Sequence, residues 1–186
     1  MHITVFGGAR PAPATPAYLE ACELGKLLAE AGHTVLTGGY RGVMEAVSKG
    51  ANEAGGHVIG VTCGEVEASH GVKVNAWVKE ERHCATLRER LDVLIEDCDA
   101  AMALPGGPGT LTEIALTWNL MIVASIRPKP LILIGAGWQK MFGEMYSSLG
   151  DYTPPRQRRF LQFAPDVQKA VEMIEEQKEH RNENTA

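Results

Sequence analysis

Short apolar runs that end in glycine alternate with longer stretches whose apolar residues recur at helical spacing, and this alternation constrains the fold more than any other property of the chain. The run His2–Phe6 leads into Gly7-Gly8, residues 33–37 lead into Gly38-Gly39, and residues 100–104 lead into Pro105-Gly106-Gly107. A strand covered on both faces gains nothing from alternating polar and apolar residues, so continuous apolar runs mark a parallel sheet, and parallel neighbours require long crossovers. The expected architecture is one α/β domain: an open parallel sheet of six to seven strands with helices on both faces.

Punctuation places the elements. Thr15 reads as an N-cap with Pro16 at the first helical position, in a helix that stops at Gly32. Further helices are expected over 43–54, 85–97, 110–123 and 138–149, with strands over 57–62, 130–134 and 161–163. A short strand is expected over 77–79. Residues 63–76 and 150–159 are polar or proline-bearing and read as surface loops, and Pro165 opens a C-terminal helix. The domain is expected to span 1–178, with 179–186 a polar tail that frays.

The chain has 186 residues, 45% of them hydrophobic, enough to bury one good core. Its net charge of -5 gives no basic footprint for a nucleic acid, although a local pocket can still hold one small phosphate. Cys22, Cys63, Cys84 and Cys98 have neither zinc-site nor disulfide spacing and read as reduced, mostly buried thiols. No charged segment followed by an apolar run opens the sequence, and no run of about 18 apolar residues occurs. The expected location is the cytoplasm, with no membrane or nucleic-acid partner. His2, His33, His57, His70 and His83 lack ligand spacing, so no metal and no cofactor are expected. Trp118, Met121 and Ile122 share a helical face that belongs to the core or to an interface between copies.

In a parallel sheet the three glycine turns lie at the carboxyl ends of strands, where open α/β sheets bind ligands. Glycines let the backbone approach an oxyanion closely, and the N-terminus of the following helix offers free N–H groups and a partial positive charge. The turn before Thr110 is the best phosphate cradle, with Gly106, Gly107 and Gly109 beside a hydroxyl. Neither a Rossmann dinucleotide fingerprint nor a Walker loop is present. Glu113 lies one helical turn after Thr110, so its carboxylate either faces the cradled group or serves the helix terminus. On the preceding helix Leu87, Leu91 and Leu94 form an apolar stripe flanked by Arg88 and Arg90, and spacing does not choose between the two arginines.

The run Pro105-Gly106-Gly107-Pro108-Gly109-Thr110-Leu111-Thr112-Glu113 resembles the complete Pro-Gly-Gly-x-Gly-Thr-x-x-Glu motif of the LOG-like family, the phosphoribohydrolases formerly labelled lysine decarboxylases. Asp99, the opening Val5-Phe6-Gly7-Gly8, and the stretch from Thr37-Gly38-Gly39 to Gly42-Val43-Met44 are similar to the family's other landmarks, so the likeness spans roughly residues 1–175. The resemblance implies a Rossmann-like fold, a homodimer, and hydrolysis of the N-glycosidic bond of a nucleoside 5′-monophosphate to free base and ribose 5-phosphate.

The family's catalytic arginine stands fifteen residues before the motif's proline, a spacing that lands on Arg90, and its catalytic carboxylate falls on Glu113. Gly7, Gly8, Gly38, Gly39, Gly42, Met44, Gly106, Gly107, Gly109 and Thr110 then form the nucleotide site. Leu91 stands where cytokinin-releasing members carry a lysine, Pro108 where an aromatic is common, and Glu45 where a glycine is common, so the base stays unnamed. The alternative within the same fold is a non-enzymatic carrier of a nucleotide or of the molybdenum cofactor. Pyridoxal-dependent lysine decarboxylation needs a much larger scaffold.

Overall fold

The computed structural model describes residues 1–183. Seven strands form one all-parallel sheet: β1 (His2–Phe6), β2 (Thr34–Thr37), β3 (Val58–Cys63), β4 (Glu80–Cys84), β5 (Ala100–Ala103), β6 (Leu131–Ile134) and β7 (Gln162–Ala164), in the order β4-β3-β2-β1-β5-β6-β7. The chain winds outward from β1 to β4, returns to place β5 against the other side of β1, and winds outward again. Strand order therefore reverses between β1 and β5, and a crevice opens at their carboxyl ends.

Helices α1 (Pro16–Glu30), α2 (Val43–Glu53) and α8 (Val167–Glu183) cover one face. The other face is covered by α3 (Gly64–His70), α4 (Leu87–Glu96), α5 (Pro108–Ile122) and α6 (Ala136–Ser148). The period-2 geometry of a strand divides the sheet residues between the layers. Ile3, Val5 and Met102 pack under α1, α2 and α8, whereas Phe6, Ala101 and Leu133 pack under α4 to α6. Both faces of the central strands are buried, which is why these strands read as mostly apolar runs.

Thr15 caps α1 as expected, its hydroxyl accepting from the Tyr18 N–H at 3.4 Å. Trp118 and Met121 are core residues, with Trp118 edge-on to Phe142 at 5.8 Å. Three of the four cysteines are buried and all are free. Among the described residues no helix is long and apolar enough to cross a membrane.

Three local expectations are corrected. Residues 63–76 contain a helix, α3, held because Val66 docks on the core layer. The strand expected over 77–79 lies instead at Glu80–Cys84, and its charged sequence misled because β4 is an edge strand with only β3 to pair with. The loop expected over 150–159 folds into a short 3-10 turn, Gly150–Tyr152, and the helix α7 (Pro155–Arg158). Helix α8 continues through Glu183, so the tail expected from 179 begins as helix, and 184–186 lie outside the described residues.

Candidate active site

The glycine turns after β1, β2 and β5 meet because those strands are neighbours. The Gly8 N–H donates to the Pro105 carbonyl at 3.2 Å, and the Val43 N–H donates to the Gly8 carbonyl at 2.9 Å, which ties the start of α2 to the other two turns. Gly42 makes that junction possible. Its φ is +75°, and a Cβ there would stand 2.6 Å from the Ala9 backbone. Above the junction lies a cleft of about 860 Å³ whose wall includes Gly7, Gly8, Met44, Arg90, the loop 105–110 and Glu113.

Arg90 enters this cleft from α4. A capping box starts that helix: Thr86 accepts from the Glu89 N–H at 3.2 Å, and Glu89 accepts from the Thr86 N–H at 3.4 Å. Glu89 is thereby occupied at the helix terminus, and the Arg88/Arg90 ambiguity resolves. Arg88 is exposed, whereas Arg90 is only 6% exposed and shares the buried helix face with Leu94. The expected stripe is shifted accordingly, since Leu87 points to solvent.

No carboxylate neutralises Arg90 by a direct salt bridge among the described residues. Its Nε donates to the Val61 carbonyl at 2.7 Å and its Nη2 to the Gly38 carbonyl at 3.1 Å, with the Met44 sulfur 3.8 Å from Nη2. Its remaining nitrogen, Nη1, makes no hydrogen bond to a described residue and belongs to a side chain on the cleft wall. Gly38 creates room for this arrangement, because a Cβ at that position would fall 1.9 Å from Nη2. Tyr40 supports the guanidinium from the other side, its ring centre 5.5 Å from Cζ. The phenol is anchored by the Cys63 N–H, which donates to it at 2.6 Å, and by the Cys63 carbonyl, which accepts from it at 3.1 Å.

Helix α5 begins at Pro108, earlier than the sequence suggested, with Gly107 as N-cap. Thr110 therefore sits at the third position and Glu113 in the second turn, beyond the first-turn amides that a capping carboxylate would serve. The N–H groups of Gly109 and Thr110 belong to the unpaired first turn and lack side-chain caps. Gly107 and Gly109 would meet nothing within 4 Å if each carried a Cβ, and neither has a positive φ. Neither protein packing nor backbone strain calls for glycine at these two places, and both line the cleft.

Glu113 is half-buried by accessible surface, with protein crowding it on all sides but the cleft. Burial pushes its carboxyl up to about 7, while the Arg90 charge pulls the other way. No hydrogen bond from a described residue reaches the carboxylate. An acid that titrates near neutrality beside an immobile guanidinium is equipped to exchange a proton with water.

Of the site residues expected from sequence, Gly7, Gly8, Met44, Arg90, Gly106, Gly107, Gly109, Thr110 and Glu113 line the cleft. Gly38, Gly39 and Gly42 do not, and act from behind it: Gly38 under Arg90, Gly39 against Thr62, and Gly42 against Ala9. Sequence reasoning missed Tyr40, Arg10 and Arg41 on the wall, and also Val66, His70 and Val72, which α3 and the residues after it contribute. A helix within 63–76 was the signal needed for the last three. Beside the cleft, ligand atoms of Glu67, Glu81 and His83 lie within 4.8 Å of one another, and Thr62 bridges Glu81 and His83 at 2.5 and 3.1 Å. A second cleft of about 500 Å³, lined by Cys98, Asp99 and Lys129, lies at the opposite end of the sheet, away from every glycine turn.

The model of the SLOG cluster4 family matches residues 1–150. The chain belongs to this LOG-like family. It is 32% identical over 161 residues to a probable cytokinin riboside 5′-monophosphate phosphoribohydrolase of Oryza sativa subsp. japonica, covering 84% of this chain and 69% of that protein. It is 29% identical over 192 residues to a cytokinin riboside 5′-monophosphate phosphoribohydrolase of Arabidopsis thaliana, covering 100% of this chain and 86% of that one. Among solved structures, the family member resembles the molybdenum cofactor binding protein of the phototrophic bacterium Rippkaea orientalis. The TM-score is 0.72 and the identity 28%, over 94% of this chain and 95% of that one. The chain is thus similar both to named hydrolases and to a named cofactor-binding protein, and function must be argued from the site.

Proposed function

We propose that this LOG-like protein is a phosphoribohydrolase that cleaves the N-glycosidic bond of a nucleoside 5′-monophosphate, releasing free base and ribose 5-phosphate. The observation that carries the reading is Glu113: a carboxylate on the cleft wall, without a structural partner, pushed up to about 7 by burial. Departure of the base leaves positive charge on the sugar ring, and a carboxylate at that ring stabilises the charge and takes a proton from the attacking water. A carboxylate on a cleft wall that no protein donor engages is left to face what the cleft holds. Glu113 has no such donor among the described residues.

In this mechanism the first-turn amides of Gly109 and Thr110, with the Thr110 hydroxyl and the turn 106–107, hold the 5′-phosphate at the positive end of α5. Arg90 offers its free Nη1 to the phosphate or to the leaving base. Its other contacts are already made, so little ordering remains to be done when substrate arrives. Gly7, Gly8 and Met44 shape the adjoining wall. Purified protein incubated with AMP, CMP, GMP and N6-isopentenyl AMP should release free base from at least one of them, and Glu113→Gln should abolish the release.

A second reading, carriage of a phosphate-bearing pterin without hydrolysis, is favoured by the likeness to the cofactor-binding protein of Rippkaea orientalis. It predicts saturable binding with no base released from any monophosphate, and no sensitivity of that binding to the ionisation of Glu113.

A further inference from the structure

Two hydrogen bonds along one edge of the Arg90 guanidinium, from Nε to the Val61 carbonyl at 2.7 Å and from Nη2 to the Gly38 carbonyl at 3.1 Å, leave its plane free to swing about the line through those acceptors. Such a swing would carry Nη1 along an arc, and with it the positive charge felt at Glu113. The Tyr40 ring closes one side of that arc, its centre 5.5 Å from Cζ. The ring is held in turn. It is 3% exposed, its hydroxyl accepts from the Cys63 N–H at 2.6 Å, and its one proton is shared between the Cys63 carbonyl at 3.1 Å and Glu67 of α3 at 3.3 Å. The backbone of Tyr40 is held as well. The Asn75 side chain donates to the Gly39 and Tyr40 carbonyls, both at 3.0 Å, and the Asn75 N–H donates to the Gly39 carbonyl at 2.8 Å.

We infer that Tyr40 is a positioning residue for the proposed hydrolysis: its ring fixes the orientation in which Arg90 presents Nη1 to the substrate and its charge to Glu113. The inference rests on the reading of Arg90 and Glu113 given above and adds the group that sets their mutual geometry. Tyr40 acts through Arg90 and needs no contact with the substrate. The contribution requires an aromatic face, since a ring offers a guanidinium its negative quadrupole, whereas an aliphatic side chain fills space without attracting the charge. Burial pushes the phenol up to about 12, so Tyr40 stays neutral and adds no charge change of its own near pH 7.

Tyr40→Phe and Tyr40→Leu separate this role from a structural one. Both lose the hydroxyl that the Cys63 N–H uses, so both should unfold at a lower temperature than the parent. Only Tyr40→Leu loses the ring. Carboxyl ¹³C NMR titration, with the Glu113 signal assigned by its absence in Glu113→Gln, should give a midpoint of about 7 in the parent and in Tyr40→Phe. In Tyr40→Leu the midpoint should rise by about half a pH unit or more, because an opposite charge nearby favours the ionised carboxylate and a displaced Arg90 favours it less. Arg10, Arg41 and His70, the other charged or titratable groups on the cleft wall, are the same in all three proteins. The kcat/KM for base release should fall about tenfold in Tyr40→Leu and less than about threefold in Tyr40→Phe. Equal Glu113 midpoints in the two variants, or turnover that falls equally in both along with stability, overturns the inference. Absence of base release even in the parent overturns the hydrolase reading instead, and the Glu113 midpoints then still decide whether Tyr40 places Arg90.

Discussion

Replacing Glu113 with glutamine isolates the cost of holding a carboxylate in the cleft. The ordinary carboxyl value is 4.5, and burial pushes Glu113 up to about 7. At about 1.4 kcal/mol per unit, keeping the group ionised costs the fold about 3 kcal/mol relative to the unfolded chain. The sign follows from which state binds the proton more tightly. Below about pH 4.5 both states are protonated and no penalty exists. Between about 4.5 and 7 the unfolded chain ionises first, so stability falls as pH rises, and above about pH 7 the full penalty applies. Glutamine imitates the protonated acid at every pH.

The variant should therefore match the parent near pH 4.5 and exceed it by about 3 kcal/mol near pH 8.5. For a domain of this size that gap corresponds to a rise in Tm of about 6–12 °C. Thermal unfolding of both proteins by circular dichroism across that range checks it, and effects common to both, such as titration of the other carboxylates, cancel in the difference. A difference that does not change with pH, or a variant less stable than the parent at pH 8.5, would refute the desolvated-carboxylate account.

Other perturbations follow from the same geometry. Gly38→Ala puts a methyl group 1.9 Å from Arg90 Nη2, so base release should fall at least about 100-fold and stability by about 1–3 kcal/mol, read by turnover and by denaturant midpoint. Arg90→Lys cannot reach the Val61 and Gly38 carbonyls together and leaves a buried acceptor unpaired, costing about 1–3 kcal/mol, and conservation of charge should not rescue turnover. In the proposed reaction Glu113 works ionised, so kcat/KM for base release should climb as pH rises through about 7 and then level off. A profile that is flat or falls across that interval would count against Glu113 as the base.

The doubly covered strands were legible because strands buried on both faces are mostly apolar, and β1, β2, β3, β5 and β6 are, with small threonines and a glycine the only exceptions among their buried residues. Strand β4 was not, because its sequence Glu80-Glu81-Arg82-His83-Cys84 satisfies an edge position through its backbone alone. The three glycine turns were visible from sequence, and the strand order puts them side by side. Local spacing left Arg88 and Arg90 equivalent, since the choice depends on which face of α4 packs against the sheet, the face that Arg90 shares with Leu94 and Ile95. Gly38 looked like a phosphate-binding glycine, whereas what it does is open space for a guanidinium delivered by a residue far along the chain. The placement of Arg10, Tyr40 and Arg41 on one cleft wall exists only once the turns after β1 and β2 meet.

The most direct test of the proposed chemistry follows the oxygen of water. Incubation of a cleaved monophosphate in ¹⁸O-labelled water, with mass spectrometry of the products, should give free base and ribose 5-phosphate in equal amounts. One labelled oxygen should reside on the sugar at C1 and none on the phosphate. Label in inorganic phosphate, or saturable nucleotide binding with no labelled sugar at all, would contradict N-glycosidic hydrolysis by this protein.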